Sequence, residues 1–204
     1  MRGVVVKETL RARHAEQTRQ LLISTARTLF TERGYAATSI EEIIQRAGVA
    51  KGALYHHFNG KDDLFRAVYE AVQADAVAGV VAAALKEREP WAAVRAGLSA
   101  FLDTCLEPSF RRIVVLDSVA ILQQDVWEGG IEHNELPMLR SVLTPLVAAD
   151  LIPGVRVEPL IHVALGGLYG AALFIARSRQ PRVARREVDA VLDTLVAGLQ
   201  SQSG

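Results

Sequence analysis

TSIEEIIQRAGVAKGALYHHF, residues 38–58, is the stretch whose reading decides the fold of this chain. Ile40, Ile43, Ile44 and Ala47 recur at i, i+3, i+4 and i+7, one apolar stripe of an α-helix. Ser39 stands where a cap belongs, and Glu42 three residues on completes the pattern of a capping box. Gly48 ends this helix, because a residue without Cβ enters a left-handed turn at little cost. A second helix starts near Ala50, with Val49, Leu54 and Phe58 available for its inner side. Its other face carries Lys51, Gly52, Ala53, Tyr55, His56 and His57, which are cationic, aromatic or small. Two helices joined by a short turn containing Gly form a helix-turn-helix, the motif whose second helix enters the DNA major groove.

Charge is distributed to match. The 204 residues carry no formal net charge, but residues 1–60 hold nine Lys or Arg against five Asp or Glu. The remainder is acidic by the same margin. A basic end on an otherwise acidic protein is the electrostatic footprint of a DNA-binding head. Half of the residues are hydrophobic, ample for a core. Cys105 is the only cysteine, which excludes an intrachain disulfide and a Cys-rich metal site. Arg2 and Lys7 are followed by no apolar run of the signal-peptide kind, so a cytoplasmic protein is expected. Residues 159–176 contain no formally charged side chain but are at the short limit for crossing a bilayer. With Pro159, His162 and several glycines, they read as a buried interface helix and not as a membrane span.

The motif AGVAKGALYHHFNGKDDLF, with the preceding ARTLFTERGYAATSIEEI, resembles the DNA-binding signature of the tetracycline-repressor (TetR) family. The resemblance covers residues 18–64, about a quarter of the chain. It implies an all-α fold: a three-helix helix-turn-helix head joined to a larger helical ligand-binding and dimerisation body, about nine helices in all. It also implies roles for single residues. Ser39 would hold a phosphate at the first helix's N-terminus, while Lys51, Gly52 and Ala53 would face bases or backbone. Tyr55, His56 and His57 would reach phosphates and thymine methyls, and Lys61 would anchor a flanking phosphate. The sequence departs from the pattern at Ala50, where a capping side chain is common; losing that cap costs about 1 kcal/mol of local stability. A plain buried hairpin would not need Lys51, Tyr55, His56 and Lys61 together.

Around this head, residues 1–17 read as a flexible basic arm, 18–60 as the DNA-binding domain and 61–204 as the regulatory and dimerisation domain. Thr18 is placed to cap the first helix, with Leu22, Ala26, Leu29 and Phe30 as its stripe and Gly34 as its end. A long helix runs from Lys61 to about Leu85. Further helices carry Trp91 to Cys105, Ser109 to about Gln124 with Ile113, Leu116, Val119 and Ala120 inward, and Leu139 to Val147, where Pro145 should kink the run. Asp125 to Pro137 is the least regular part. Two helices close the chain, about Glu158 to Arg179, apolar nearly all round, and Val183 to Leu199.

No nucleophile elbow, Walker loop, Gly-rich βα turn or pair of histidines at ligand spacing occurs, so neither an enzyme, a metal site nor a cofactor is expected. The expected partners are a pseudo-palindromic DNA duplex, a second copy of the chain and a small hydrophobic effector, with no membrane. An apolar-all-round helix needs neighbours on every side, so the last two helices are the expected dimer interface. Gly166, Gly167, Leu168, Gly170, Val188, Leu192 and Leu195 are the residues assigned to it. The family resemblance implies an effector pocket, and the sequence suggests its place, near Phe101, Cys105, Leu116, Trp127, Met138 and Phe174, with Asp117, His133, His162 and Tyr169 as its few polar groups. The same residues could simply fill the core. Two functions therefore stand side by side: a repressor released by a small apolar or aromatic effector, or a DNA-binding regulator without one, governed by a protein partner or by abundance.

Overall fold

Apolar residues that recur every three to four positions bury as helix stripes. Helices are the only regular structure in the computed structural model, which describes residues 10–122 and 136–201. They are α1 (Leu10–Arg33), α2 (Ile40–Ala47), α3 (Lys51–His57), α4 (Lys61–Ala84), α5 (Pro90–Thr104), a π-helical stretch (Phe110–Asp117) continuing into α6 (Ser118–Ile121), α7 (Leu136–Ala148), α8 (Val157–Arg177) and α9 (Pro181–Gln200). The all-α reading holds, with nine α-helices among the described residues. The chain divides into two units, Met1–Val68 and Tyr69–Gly204. That division lies within α4, eight residues beyond the boundary read from the sequence.

The first unit is built on α1, which buries Leu22, Ile23, Ala26, Leu29 and Phe30. Against that stripe lie Ile43 of α2, Leu54 of α3 and Phe58 beyond it, and Leu64, Phe65 and Val68 of α4, all buried. Phe30 and Phe65 meet edge to face, with ring centroids 5.3 Å apart. Gly34, at φ 82°, turns the chain out of α1. Thr38, buried, then donates its hydroxyl to the Gly34 carbonyl at 2.9 Å, fixing the approach to α2. α1 begins at Leu10, well ahead of Thr18, so Arg11, Arg13 and His14 of the expected arm stand exposed on a helix. Thr18 is accordingly no cap; its hydroxyl donates to the His14 carbonyl one turn back. Residues 1–9 of that arm lie outside the described residues.

In the second unit, Glu89 caps α5 by accepting from the Trp91 and Ala92 amides, and Pro90 occupies the first turn, where no amide is needed. Trp91 packs with Leu146, Ile152 and Val196, and a second cluster joins Leu139, Ile161 and Leu165. Arg185 ties α9 to α5 through Asp103 at 3.0 Å and the Ser99 hydroxyl at 2.8 Å. Pro145 lies inside the last turn of α7 without ending it. α8 is long and apolar enough to cross a membrane by length and composition. One of its faces buries Ile161, Leu165, Ala172 and Ile175; the opposite face is open.

The regular α-helix expected from Ser109 onward is not what forms. Residues 110–117 take the wider π turn, in which bonds run five residues back, and the Ser118 amide donates to the Ile113 carbonyl. The buried set is therefore Phe110, Ile113, Val114, Val115 and Ser118, whereas Leu116 is half-buried and Ala120 exposed.

Candidate nucleic-acid interface and body cavity

Ser39 caps α2, its hydroxyl accepting from the Glu42 amide at 3.2 Å. The capping box is only half made, because the Glu42 carboxylate is taken by Arg33. Gly48 closes α2 at φ 68°, its amide bonding the Gln45 carbonyl while Val49 reaches Ile44. Ala50 begins α3 without a side-chain cap. With Leu54 and Phe58 buried, the seven-residue helix turns Lys51, Gly52, Tyr55 and His56 to the outside, with Ala53 and His57 half-buried beside them. All the α3 residues assigned to DNA from the sequence therefore share one unit with Ser39 and Lys61. A Cβ added at Gly52 would meet nothing within 4 Å, so the protein's own packing does not require glycine there.

Two cations of this unit are held in place. Lys51 Nζ lies 3.7 Å from Glu41 and 5.9 Å from the Tyr55 ring centroid. Lys61 Nζ lies 4.0 Å from the Tyr35 ring centroid, a cation–π contact. Tyr35 also donates its hydroxyl to Asp62. Burial, and then the hydrogen bond and charge of Asp62, push the Tyr35 phenol up to about 12. Partial burial lowers the Lys61 ammonium, with Asp62 opposing. No sequence pattern singles out Tyr35 as support for Lys61. It is 26 positions from Lys61, and no local pattern connects them.

The second unit encloses an apolar cavity of about 60 Å³. α4 contributes Gln73, Val77 and Val80, the π-helical stretch Phe110, Val114 and Val115, and α8 Leu168, Tyr169 and Ala172. Among the described residues, none that lines it carries a formal charge. Gln73, buried, donates its side-chain amide to the Tyr69 hydroxyl at 2.6 Å. Of the pocket residues expected from the sequence, Phe101, Met138 and Tyr169 line this cavity. Leu116 and Asp117 do not, and Asp117 pairs with Arg112 at 3.1 Å. Cys105 is buried outside the lining. Trp127 and His133 lie outside the described residues. His162 and Phe174 belong to the open face of α8, while Leu168, assigned to the interface, lines the cavity. The helix phase explains the exchange: Ile161, Leu165, Leu168 and Ala172 form one i, i+4, i+7, i+11 stripe, and Val163, Gly167, Gly170 and Phe174 form the opposite one.

That open stripe is matched on α9. Val163 is 73% exposed, Phe174 55%, Val191 58% and Leu195 59%, while Val188 and Leu192 are half-buried. Gly166, Gly167 and Gly170 are exposed, and an added Cβ at any of them would meet nothing within 4 Å. No group of three or more His, Cys, Asp or Glu able to hold a metal occurs among the described residues.

Burial pushes the Cys105 thiol up to about 12 from 9.0. The thiolate is the reactive form, so iodoacetamide at pH 8 is expected to label native Cys105 at least about 100-fold more slowly than in denaturant. Because the folded value is the raised one, this contribution to stability is full below pH 9 and is lost as pH climbs from 9 towards 12. Fast labelling of the native protein, followed by mass spectrometry, would contradict the burial.

Residues 22–68 match the family of bacterial regulatory proteins named tetR, and residues 91–199 match the tetracycline repressor-like C-terminal domain. The Escherichia coli transposon Tn10 TetC protein is 51% identical over 55 residues, 27% of this chain and 28% of that protein. The Pseudomonas putida regulator SrpR is 32% identical over 125 residues, 61% of this chain and 55% of its own length. The chain thus spans from about a quarter to about half the length of these two relatives. A crystal structure of a TetR-family transcriptional regulator from Pectobacterium atrosepticum superposes with TM-score 0.80 at 30% identity, covering 92% of this chain and 96% of that one.

Proposed function

Since this chain belongs to the TetR family of helix-turn-helix transcriptional regulators, we propose that it is a cytoplasmic repressor that binds a pseudo-palindromic DNA operator as a symmetric dimer. The carrying observation is α3, a short helix held by Leu54 and Phe58 that turns Lys51, Gly52, Tyr55 and His56 outward from a glycine turn. Its N-terminal end meets base edges, Gly52 lets the backbone come close, and Ser39 and Lys61 flank it as phosphate contacts. Tyr35 pre-positions Lys61, whose ammonium keeps donors for phosphate beyond the ring. The two recognition helices of a dimer then lie about 34–36 Å apart, one DNA turn.

Lys61→Ala is expected to weaken binding to every duplex alike and to flatten the salt slope by roughly one unit. His56→Ala is expected instead to change which sequence is preferred in a selection from random duplexes. Unchanged binding of all duplexes by Lys61→Ala and Tyr55→Ala, read by fluorescence anisotropy over a salt series, would remove the assignment of the head.

The apolar cavity is the proposed effector site. A ligand that favours a body shape with α4 displaced shifts the population away from DNA, by about 1.4 kcal/mol for each tenfold loss of operator affinity. The uncharged lining selects a neutral apolar or aromatic molecule. One observation favours a second reading, a regulator without an effector. The 60 Å³ cavity is well short of the ~150 Å³ that accommodates benzene in an engineered core.

A further inference from the structure

A π-helix is rare, occurs mostly as a short interruption of an α-helix, and concentrates at functional sites. Here eight residues keep that geometry, and three of them, Phe110, Val114 and Val115, wall the cavity. One side-chain pair favours this register, and two further contacts hold the stretch in place. Arg112 Nε and the Asp117 carboxylate meet at 3.1 Å, five positions apart. Successive residues of an α-helix turn by about 100°, so its fifth neighbour points about 140° away and this pairing falls out of alignment. Ser118, fully buried, gives its amide to the Ile113 carbonyl and its hydroxyl to the Val114 carbonyl at 2.6 Å. A hydroxyl bond to the carbonyl four residues back is also made within the regular α-helices of this chain, by Thr31 and Thr104, so it is compatible with either register. Arg111 Nε donates to the Ala176 carbonyl at 2.8 Å, pinning the start of the stretch to the end of α8.

We propose that residues 110–117 are a two-register wall: the π register keeps the cavity small, and conversion to an α register opens it to a neutral ligand. Val115 is the moving part. Five positions from Phe110, it lines the cavity together with Phe110 and Val114 in the π turn. In an α register it rotates about 140° from Phe110 and withdraws its side chain from the lining. The small volume is then the closed state of the site. This rests on the cavity being the effector site, and it says how that site is regulated.

The test uses the full-length protein, toluene as a neutral probe, and the variants Arg112→Gln, Asp117→Asn and their combination. Each variant removes the ion pair that favours the π register. Each is expected to raise toluene affinity about threefold, and the pair no further than either alone, because both remove one ion pair and apparent affinity scales with the open fraction. Exchange of the amides of residues 115–118 is expected to quicken in all three variants. A crystal of the double variant soaked with toluene is expected to show four-residue bonds through this stretch. Folded variants with unchanged exchange at these amides, or a toluene complex that keeps the five-residue bonds, would overturn the register switch. Failure of toluene to enter any variant, with exchange quickened as expected, would remove the effector reading and leave the two-register wall standing.

Discussion

Gly170→Arg is expected to leave the protein folded and to turn the proposed dimer into a monomer. Within one chain the substitution is benign. An added Cβ meets nothing within 4 Å, the position is exposed, and Arg is a better helix former than Gly by nearly ~1 kcal/mol. Across a two-fold axis it is not. The open stripe of α8, with Val163, Gly167 and Phe174, and the exposed Val191 and Leu195 of α9, which packs on α8, offer apolar surface fit to pair with its own copy in a four-helix bundle. At a crossing of two copies these glycines would let the backbones come close, and a guanidinium inserted there would be desolvated without a partner. Sedimentation velocity at micromolar concentration reads the outcome. Operator affinity is expected to fall on the order of 10³-fold as the second half-site is lost. Leu195→Glu should do the same from the other helix. Wild-type protein that sediments as a monomer would end this account.

Phe65→Ala is expected to unfold the head. Phe65 is fully buried and touches two aromatic neighbours edge to face, Phe30 at 5.3 Å and Tyr35 at 5.1 Å. Truncating a buried Phe costs about 3–5 kcal/mol. Small units bury proportionally little surface and have a narrow margin to lose. Specific DNA binding should vanish while the helical signal of the second unit persists, and limited proteolysis should cut within residues 10–60 first. Phe65→Leu, which keeps much of the apolar volume but not the ring contacts, is expected to fall between. A Phe65→Ala protein that keeps operator affinity and melts within about 1 kcal/mol of wild type would show that the core lies elsewhere.

Why some of this was readable from sequence and some not follows from the range of the signals. Ser39, Gly48, Ile43 and Leu54 act within a turn or two of themselves, so spacing alone located α2 and α3. Lys61 could be marked, but not its support on Tyr35, because that contact joins residues distant in the chain. The polar residues 10–17 show no apolar stripe, and nothing in their pattern announced that α1 extends through them. α8 posed another difficulty. Apolar on almost every side, it has no phase that hydropathy can choose, so Leu168 and Phe174 were assigned to each other's faces. The π turn escaped for a related reason. Phe110, Ile113, Val114 and Ser118 also satisfy a 3.6-residue period, and no residue type marks the wider turn.

The place where the two units divide has a consequence for modularity. The first two turns of α4 supply Leu64, Phe65 and Val68 to the core of the head, so the DNA-reading module does not end where its motif ends. A chimera joined at residue 60 would inherit the recognition helix without the side chains that keep it folded. Its DNA specificity would then depend on whatever the recipient offered at those three positions. A seam after Val68 carries the whole module, at the cost of lying inside a continuous helix, where one residue gained or lost rotates everything downstream by about 100°. Heads of this architecture are therefore exchangeable by substitution far more readily than by insertion.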